Sequence, residues 1–571
     1  MSTSSVIIER DVEMSTRDGV TLRSDVWRID DGKSHPTVLW RTPYNRKRIS
    51  TEYLSPVFAT EAGYNCVFQD TRGRFGSEGK WDVMMWDQEA LDTFDAVEWI
   101  AAQPWCDGHV VMSGSSYLGH VQWLGAAQRP PHLTAIAPVV ASTNTEFDRV
   151  HSGGTQRLVG FTAWLTMVGL DWVIEEIKAG RLEQSALRPF MELGANPMPA
   201  VEFLPLSKIP HFDIPGFPLD LKEVFASNMN TIGEALAEEI GVPSLSITGW
   251  YEVLAGQTID NFVRMREAGA GGTHVRNAHR IIIGPWTHYG HMAHAGEIPM
   301  GLAATSQFAI FASQKHITFF DHHVRGADAD LPAVEYFLIG AGWRTADTWP
   351  PPGTVEQQWF LSSDGDANTA AGDGRLSTQH LQSATRDKFD YDPLNPVRTI
   401  GGRNLPNFGP VLAGPFDQSR NEARADVCCY TSSEFETAID AVGPVAVELW
   451  TATDVRDTDF VASICNVFPD GRSILVASGL LRARFRNGLD CEEFLTPGKV
   501  ERYLINLGHI GWRFDRGHRL RLNITSSDFP GFDRNMNTGN PTGADAKGPV
   551  AHQEIVHDEA HRSNLKLTVL A

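Results

Sequence analysis

Val110-Val-Met-Ser-Gly-Ser-Ser-Tyr-Leu-Gly119 decides how the rest of the chain is read. A short apolar run enters a Ser/Gly cluster and passes at once into Tyr117–Ala127, which is nearly all apolar. Strand, tight turn and buried helix in that order are the setting of a nucleophile elbow, a strained turn that lifts a serine hydroxyl clear of the sheet edge. Gly114 stands two residues before Ser116, where a side chain would collide with the turn. Ser115 has Ser113 in that place, which favours Ser116 as the nucleophile. The plain G-x-S-x-G pattern is not met, because Leu118 follows at +2 and the next glycine is Gly119. Gly-Ser turns also occur with incidental serines, so the elbow is weighed with its surroundings.

On the N-terminal side, strands are expected at Val20–Trp27, Thr37–Trp40 and Tyr64–Asp70. A helix over about Asp87–Gln103 follows, with Leu91, Phe94, Val97 and Ile100 three apart and acids between them. Leu133–Val140 makes a further strand. This alternation argues for an α/β domain. From about residue 144 to 241 the alternation stops, and Phe161–Arg181 and Leu221–Glu239 read as helices of an insertion. It resumes at Val242–Thr248 and Arg280–Ile283, each a strand ending in a Gly turn. Beyond Thr354, short β runs such as Pro444–Thr451, Phe460–Val467, Ser473–Val476 and Leu520–Thr525 are separated by Asp/Gly/Pro/Asn turns, as in a sandwich or jelly roll.

A serine nucleophile needs a base to take its proton and an acid to orient that base. In α/β-hydrolases these follow in the chain order Ser, acid, His, on loops after strands. The strand at 280–283 leads into Gly284-Pro-Trp-Thr-His288, which makes His288 the natural base, with His291 and His294 as runners-up. The strand at 242–248 leads into Gly249-Trp-Tyr-Glu252, which offers a carboxylate at the corresponding loop. Asp260 is the other nearby acid, inside a helix expected over 255–267. Taken singly, each is also an ordinary loop or surface side chain. Their order and their shared strand-end placement are what raise them together.

The chain has 571 residues and a formal net charge of −21. That acidity argues against nucleic-acid binding and against docking on an anionic membrane. No stretch approaches 18 uninterrupted apolar residues, so no bilayer span is expected. The opening residues lack a basic start and a long apolar core, and a cytoplasmic protein is expected. Six cysteines show no metal spacing and are too sparse for a disulfide scaffold. Cys428 and Cys429, adjacent in an expected strand, would face opposite sides and not pair. Asp457-Thr-Asp459 could suggest calcium but lacks the remaining ligands, and no metal or cofactor is expected.

Further motifs now combine. They are Arg41-Thr-Pro-Tyr44, Gln69-Asp-Thr-Arg-Gly73, Trp105-Cys-Asp-Gly108, Gly114-x-Ser-Tyr-Leu-Gly119, Gly249-Trp-Tyr251 and Gly284-Pro-Trp-x-His288. Gly414-Pro-Phe-Asp-Gln418, Asp457-Thr-Asp-Phe460, Phe468-Pro-Asp-Gly-Arg472 and Ser526-Ser-Asp-Phe-Pro530 follow in the C-terminal part. Together they resemble the bacterial cocaine-esterase-like serine hydrolases, relatives of α-amino-acid ester hydrolases, glutaryl-cephalosporin acylases and X-Pro dipeptidyl-peptidases. The resemblance spans nearly the whole chain. It implies an α/β-hydrolase domain from 1–144 and 242–353, a helical cap at 145–241 and a jelly-roll-like β domain at 354–571. It also implies Ser116 as nucleophile, His288 as base, and an oxyanion hole from the Tyr117 N–H and the Tyr44 phenol. One residue departs: where the family has Asp after Gly-Trp-Tyr, this chain has Glu252. Glu serves as a triad acid elsewhere, but its extra methylene has to be accommodated, or Asp260 would have to serve instead.

Asp70 and Arg72 are expected to tie the loop beside Tyr44, and Trp164 and Trp172 to border the acyl pocket or pack in the core. The expected reaction is cleavage of a small-molecule carboxylic ester through an acyl-enzyme, possible also in a homo-oligomer. The alternative is an amide substrate on the same fold. An aminopeptidase would need carboxylates for the substrate ammonium, and Glu146, Asp148 and Asp171 are candidates. A catalytically dead binding protein is the remaining reading, and the Glu252 departure is its only support.

Overall fold

The computed structural model describes residues 5–48, 53–83, 86–143, 151–220, 236–288, 294–301, 304, 308–380, 385–405 and 411–571. In the N-terminal part a sheet is built from β1 (Val6–Ser15), β2 (Thr21–Ile29), β3 (His35–Thr42), β4 (Asn65–Asp70) and β5 (Cys106–Ser115). It continues with β6 (Leu133–Val139), β7 (Leu245–Gly249), β8 (Arg280–Gly284), β9 (Val334–Leu338) and β10 (Gly342–Ala346). The spatial order is β1-β2-β4-β3-β5-β6-β7-β8-β9-β10. From β4 across to β9 neighbouring strands run parallel, with an antiparallel hairpin at each edge. The central strands read as continuous apolar runs because helices cover both faces. Val38, Val111, Ile247 and Ile282 pack on one face, and Leu39, Val110, Met112 and Ile136 on the other.

The helices that matter for the site are α1 (Trp86–Ala101), α2 (Tyr117–Ala127), α3 (Leu158–Lys178), α4 (Ala255–Ala268) and α5 (Phe308–Arg325). Strand β2 falls on the strand expected at Val20–Trp27, whereas β1, the β9–β10 hairpin and α5 were not legible in the sequence pattern. Helix α3 is long and apolar enough by length and composition to cross a membrane, yet 61 % of that window is buried inside the protein. It packs Leu158, Phe161, Trp164, Leu165 and Val168 into a cluster with Tyr117, Val121, Val253 and Leu254. Residues 221–235, most of the second helix expected in the insertion, lie outside the described residues.

Among the described residues from Thr354 to Leu570 the structure is β apart from single turns at Ser419–Glu422 and Ala483–Phe485, with eleven strands in one hydrogen-bonded assembly. Ile439–Thr453 pairs antiparallel with Glu501–Phe514 over most of their length. Arg386–Tyr391 alternates exposed and buried residues strictly, the signature of a strand with one face on a core. Cys428 joins the main core of this part and Cys429 a separate cluster, so the adjacent thiols do face opposite sides. All six cysteines are free. The two parts are stitched by backbone bonds from Ile339 N–H to the Gly511 carbonyl and from Arg513 N–H to the Ile339 carbonyl, both 2.9 Å.

Asp457 and Asp459 are buried and already engaged. They are the counter-ions of two buried arginines: Arg484 binds Asp457, and Arg482 grips Asp459 with two bonds of 2.9 Å. Asn535 bridges the two carboxylates. Among the described residues no group of three or more His, Cys, Asp or Glu side chains gathers as a metal site.

Candidate active site

β5 ends at Ser115, α2 begins at Tyr117, and Ser116 is the single residue between them. Its φ of 57° and ψ of −120° place it in a conformation L residues rarely adopt, which costs on the order of 1–3 kcal/mol and is over-determined by its surroundings. The Ser116 N–H bonds the Val139 carbonyl at the end of β6, and its carbonyl accepts the Gly119 and His120 N–H groups, all at 2.9 Å. Gly114 has φ +137°, and a Cβ there would stand 2.5 Å from Leu118 Cβ. The missing glycine at +2 is replaced in effect by Gly119, where a Cβ would stand 2.5 Å from Ala141 Cβ. Close helix–strand packing is thus supplied one residue later than the plain motif puts it.

β7 and β8 are parallel neighbours whose last residues, Gly249 and Gly284, are in register. The turns that follow are zipped together: Trp250 N–H donates to the Gly284 carbonyl at 2.9 Å and Tyr251 N–H to the Trp286 carbonyl at 3.0 Å. A Cβ on Gly249 would stand 2.4 Å from the Trp286 carbonyl oxygen, so only glycine lets the turns approach this closely. Glu252, fully buried, lies with Oε1 2.8 Å from His288 Nδ1. A carboxylate only accepts, so Nδ1 carries the proton and Nε2 is the ring's acceptor nitrogen. The other carboxylate oxygen accepts the Leu254 N–H at 2.7 Å, just ahead of α4. The extra methylene that separates Glu from Asp is therefore accommodated, and both oxygens are held. Tyr53 O–H donates to the His288 carbonyl at 2.9 Å and fixes the far side of that residue.

The β domain helps hold the acid-bearing turn. Tyr251 O–H reaches the Leu475 carbonyl at 3.0 Å, and Arg403 donates to the Trp250 carbonyl at 3.0 Å. Asp260, the alternative acid, is excluded from the His288 contact: it lies on α4, half exposed, 2.8 Å from His509 Nε2. Its place inside a helix turns it away toward the β domain. Of the runner-up bases, His291 lies outside the described residues, as does the side chain of His294.

Tyr44 and Tyr117 meet with their rings edge to face, centroids 6.2 Å apart. The Tyr44 phenol oxygen accepts the Trp164 indole N–H at 2.9 Å. Trp164 is thus both a buried core residue and a hydrogen-bond donor to Tyr44, while Trp172 is a partly buried packing residue of the same cluster. Tyr117, first residue of α2, presents its N–H at a helix N-terminus, where no intrahelical acceptor exists. Its phenol donates to the buried Glu89 of α1 at 3.3 Å, and Glu89 in turn accepts Arg41 at 2.8 Å. Burial pushes the Glu89 carboxyl up, against the pull of Arg41. Arg41 and Glu89 thereby connect β3, which leads to Tyr44, with α2. No feature of the linear sequence marked Glu89 for this.

Asp70 ties the Tyr44 loop as expected, accepting the Arg46 N–H at 2.7 Å and ion-pairing with its guanidinium. Arg72 does not: it turns the other way and bonds Asp92 and Asp18. Asp171 lies 3.7 Å from Arg48 Nη1 and 3.9 Å from Arg74 Nη2, held loosely between two cations, which disfavours a third cation there, and Glu146 and Asp148 lie outside the described residues. A cavity of about 480 Å³ opens between α4, residues 151–157 and the β domain. It is lined by Arg157, Val253, Gln257, Asp260, Arg403 and Asp528 among others, and touches the site through Val253 beside Glu252.

Residues 18–290 match the X-Pro dipeptidyl-peptidase (S15) family, and residues 326–566 match the C-terminal non-catalytic domain of X-Pro dipeptidyl-peptidase. Cocaine esterase of Rhodococcus sp. (strain MB1 Bresler) is 33 % identical over 548 residues, 93 % of each chain. The chain belongs to the cocaine-esterase-like, S15-type family of serine hydrolases. Two solved structures share the fold along the whole chain. An aminopeptidase from a marine-sediment Thaumarchaeota archaeon superposes with a TM-score of 0.77 at 20 % identity, covering 100 % of this chain and 97 % of that one. An α-amino-acid ester hydrolase superposes with a TM-score of 0.74 at 21 % identity, with the same coverage. Membership of this family fixes an N-terminal catalytic part and a C-terminal all-β part.

Proposed function

We propose that the protein hydrolyses a carboxylic ester through an acyl-enzyme on Ser116. The observation that carries this reading is the buried Glu252–His288 contact of 2.8 Å at two adjoining strand ends, in the same sheet as the Ser116 elbow. His288 Nε2 takes the Ser116 proton as the oxygen attacks the acyl carbon, and Glu252 steadies the imidazolium. The Tyr44 O–H and Tyr117 N–H hold the oxyanion. The leaving alkoxide collects its proton from His288 as the tetrahedral adduct collapses. Water, deprotonated by the same imidazole, then attacks the acyl carbon, and the imidazolium returns that proton to Ser116 Oγ as the second adduct collapses and the acid leaves.

In this reading residues 145–241 form a helical cap over the site and residues 354–571 a jelly-roll-like domain that buttresses it. The cluster around the tyrosines, with Phe161, Trp164, Val253, Leu405 and Phe529, is apolar and draws on all three segments, which suits an uncharged acyl group. An ester also needs less than an amide, whose amine leaves only when protonated. The test is turnover of p-nitrophenyl acetate and butyrate by the protein and its Ser116→Ala variant, with labelling by a fluorophosphonate. Turnover and label both lost in the variant support the reading. Equal background rates with no label overturn it, and label without ester turnover moves the substrate to the amide class.

A further inference from the structure

Arg74 follows the Gln69–Gly73 motif, and its side chain is only 2 % exposed. Among the described residues it faces no carboxylate at hydrogen-bond distance. The nearest, Asp171 Oδ2, is 3.9 Å from Nη2, and Nη2 has no hydrogen-bond partner. The guanidinium lies 4.2 Å over the Trp81 ring and 5.0 Å over the Phe75 ring. Two carbonyls take its other donors: Nε bonds Pro43 at 2.9 Å and Nη1 reaches Val168 at 3.4 Å.

Those two carbonyls are what single it out. Pro43 immediately precedes Tyr44, and Val168 lies one helical turn beyond Trp164 on α3, the residue whose indole N–H binds the Tyr44 phenol. We propose that Arg74 is a positioning residue of the oxyanion hole: it clamps the Tyr44 loop to the helix that carries Trp164 and sets an under-neutralised positive charge behind the phenol. The inference rests on the proposed role of Tyr44 as an oxyanion donor.

A buried cation is ordinarily paired, because burial without a partner is costly. Here burial alone draws the Arg74 pKa down to about 10, with Asp171 the chief opposing charge and the Tyr117 and Tyr44 phenols next. The ground state therefore leaves this charge short of a counter-ion. When the acyl carbonyl becomes an oxyanion held by Tyr44, negative charge arrives at a phenol whose charge the guanidinium already senses. The interaction is stronger in the transition state than in the resting enzyme, and that difference is what raises kcat rather than lowering KM. Trp164 completes the device. Its indole N–H donates to the phenol oxygen, and bonds in series polarise one another.

The experiment measures kcat and KM on p-nitrophenyl butyrate, and phenylboronic acid inhibition as a tetrahedral mimic. It uses Arg74→Met, Arg74→Lys and Tyr44→Phe, alone and combined, with circular dichroism to check folding. Arg74→Met is expected to lower kcat by about 10–100-fold and weaken phenylboronate similarly, with KM within about twofold. In the Tyr44→Phe background the same change should cost no more than about twofold, because both act through one group. Should the Met variant not fold, Arg74→Lys decides: a reduced kcat with the same non-additivity supports the inference. A folded variant with unchanged kcat and phenylboronate affinity overturns it, as do losses that simply multiply with that of Tyr44→Phe. If Tyr44→Phe itself leaves kcat unchanged, the oxyanion role of Tyr44 falls and the inference with it.

Discussion

Glu252 reaches His288 at 2.8 Å with one carboxylate oxygen and caps the Leu254 N–H at 2.7 Å with the other. A freely rotating glutamate in this place would hold an imidazole poorly, since it has one more torsion to lose than aspartate. Committing the second oxygen to the backbone removes that freedom. The longer acid thus meets the imidazole with both oxygens held, as the proposed triad requires, and the departure from the family pattern gives no support to a dead binding protein.

Glu252→Gln should lower kcat/KM by about 10²–10⁴-fold, because the neutral amide keeps the shape but cannot stabilise an imidazolium. Glu252→Asp should also lose activity, though less, because the shortened side chain cannot meet both His288 and Leu254. Steady-state kinetics on p-nitrophenyl butyrate check this. An Asp variant as active as the parent would show that the turn shifts freely and that the Leu254 bond does not position the acid.

Gly114→Ala tests the elbow. Its Cβ would press on Leu118 Cβ at 2.5 Å in a backbone of φ +137°, so strain of about 1–3 kcal/mol is expected. The melting temperature should fall, and fluorophosphonate labelling of Ser116 should fall further than folding accounts for. Unchanged labelling in a folded variant would mean the turn relaxes without moving the Ser116 oxygen.

How far the sequence carried these assignments follows from which interactions are local. The elbow was legible because strand, Gly114, Ser116 and apolar helix are contiguous. His288 and Glu252 were legible because each follows a short apolar strand within five residues. What joins them, the register of Gly249 with Gly284, is a parallel pairing across 35 residues of sequence and leaves no periodic trace. Asp260 and Arg72 show the same limit from the other side. Each is near the right residues in sequence, but helix α4 and the β1–β2 turn aim them elsewhere. Glu89 and Arg74 could not be found at all, because their partners lie on separate elements.

The buried pair Asp459–Arg482 is worth more to folding than any calcium reading of that segment. Arg482 also binds Asp533 at 2.9 Å, and all three side chains are excluded from solvent. Asp459→Ala should cost about 1.5–3 kcal/mol, since Arg482 loses two charge-assisted bonds while keeping Asp533 as its counter-ion. Calcium or a chelator should leave the melting temperature of the parent unchanged, because a bound ion would stabilise by mass action. Denaturant unfolding and thermal melts with and without calcium check both statements.

The last prediction concerns pH. Burial pulls His316 down to about 4 and His279 to about 3, the latter helped by the Arg266 and Arg280 charges. An unfolded histidine titrates near 6.5, so between about 6.5 and 4 the unfolded chain binds protons that the folded ring refuses. Stability from these neutral rings is therefore complete above about pH 6.5 and is lost as pH falls toward 4. Carboxyls raised by burial, such as Glu89 and Asp70, act with the opposite sign over part of the same range. The net slope is thus ambiguous, but the difference between the parent and a variant is not, because those carboxyls cancel. His316 donates Nδ1–H to the Ala312 carbonyl of its own helix at 2.7 Å and also faces the Ala137 backbone on β6, so His316→Leu removes the titration at the cost of one contact to the sheet, a cost that does not vary with pH. The melting temperature of this variant relative to the parent should rise steadily between pH 7 and pH 4.5. A difference independent of pH would show that His316 is protonated in the folded protein or exposed by local opening before the global transition.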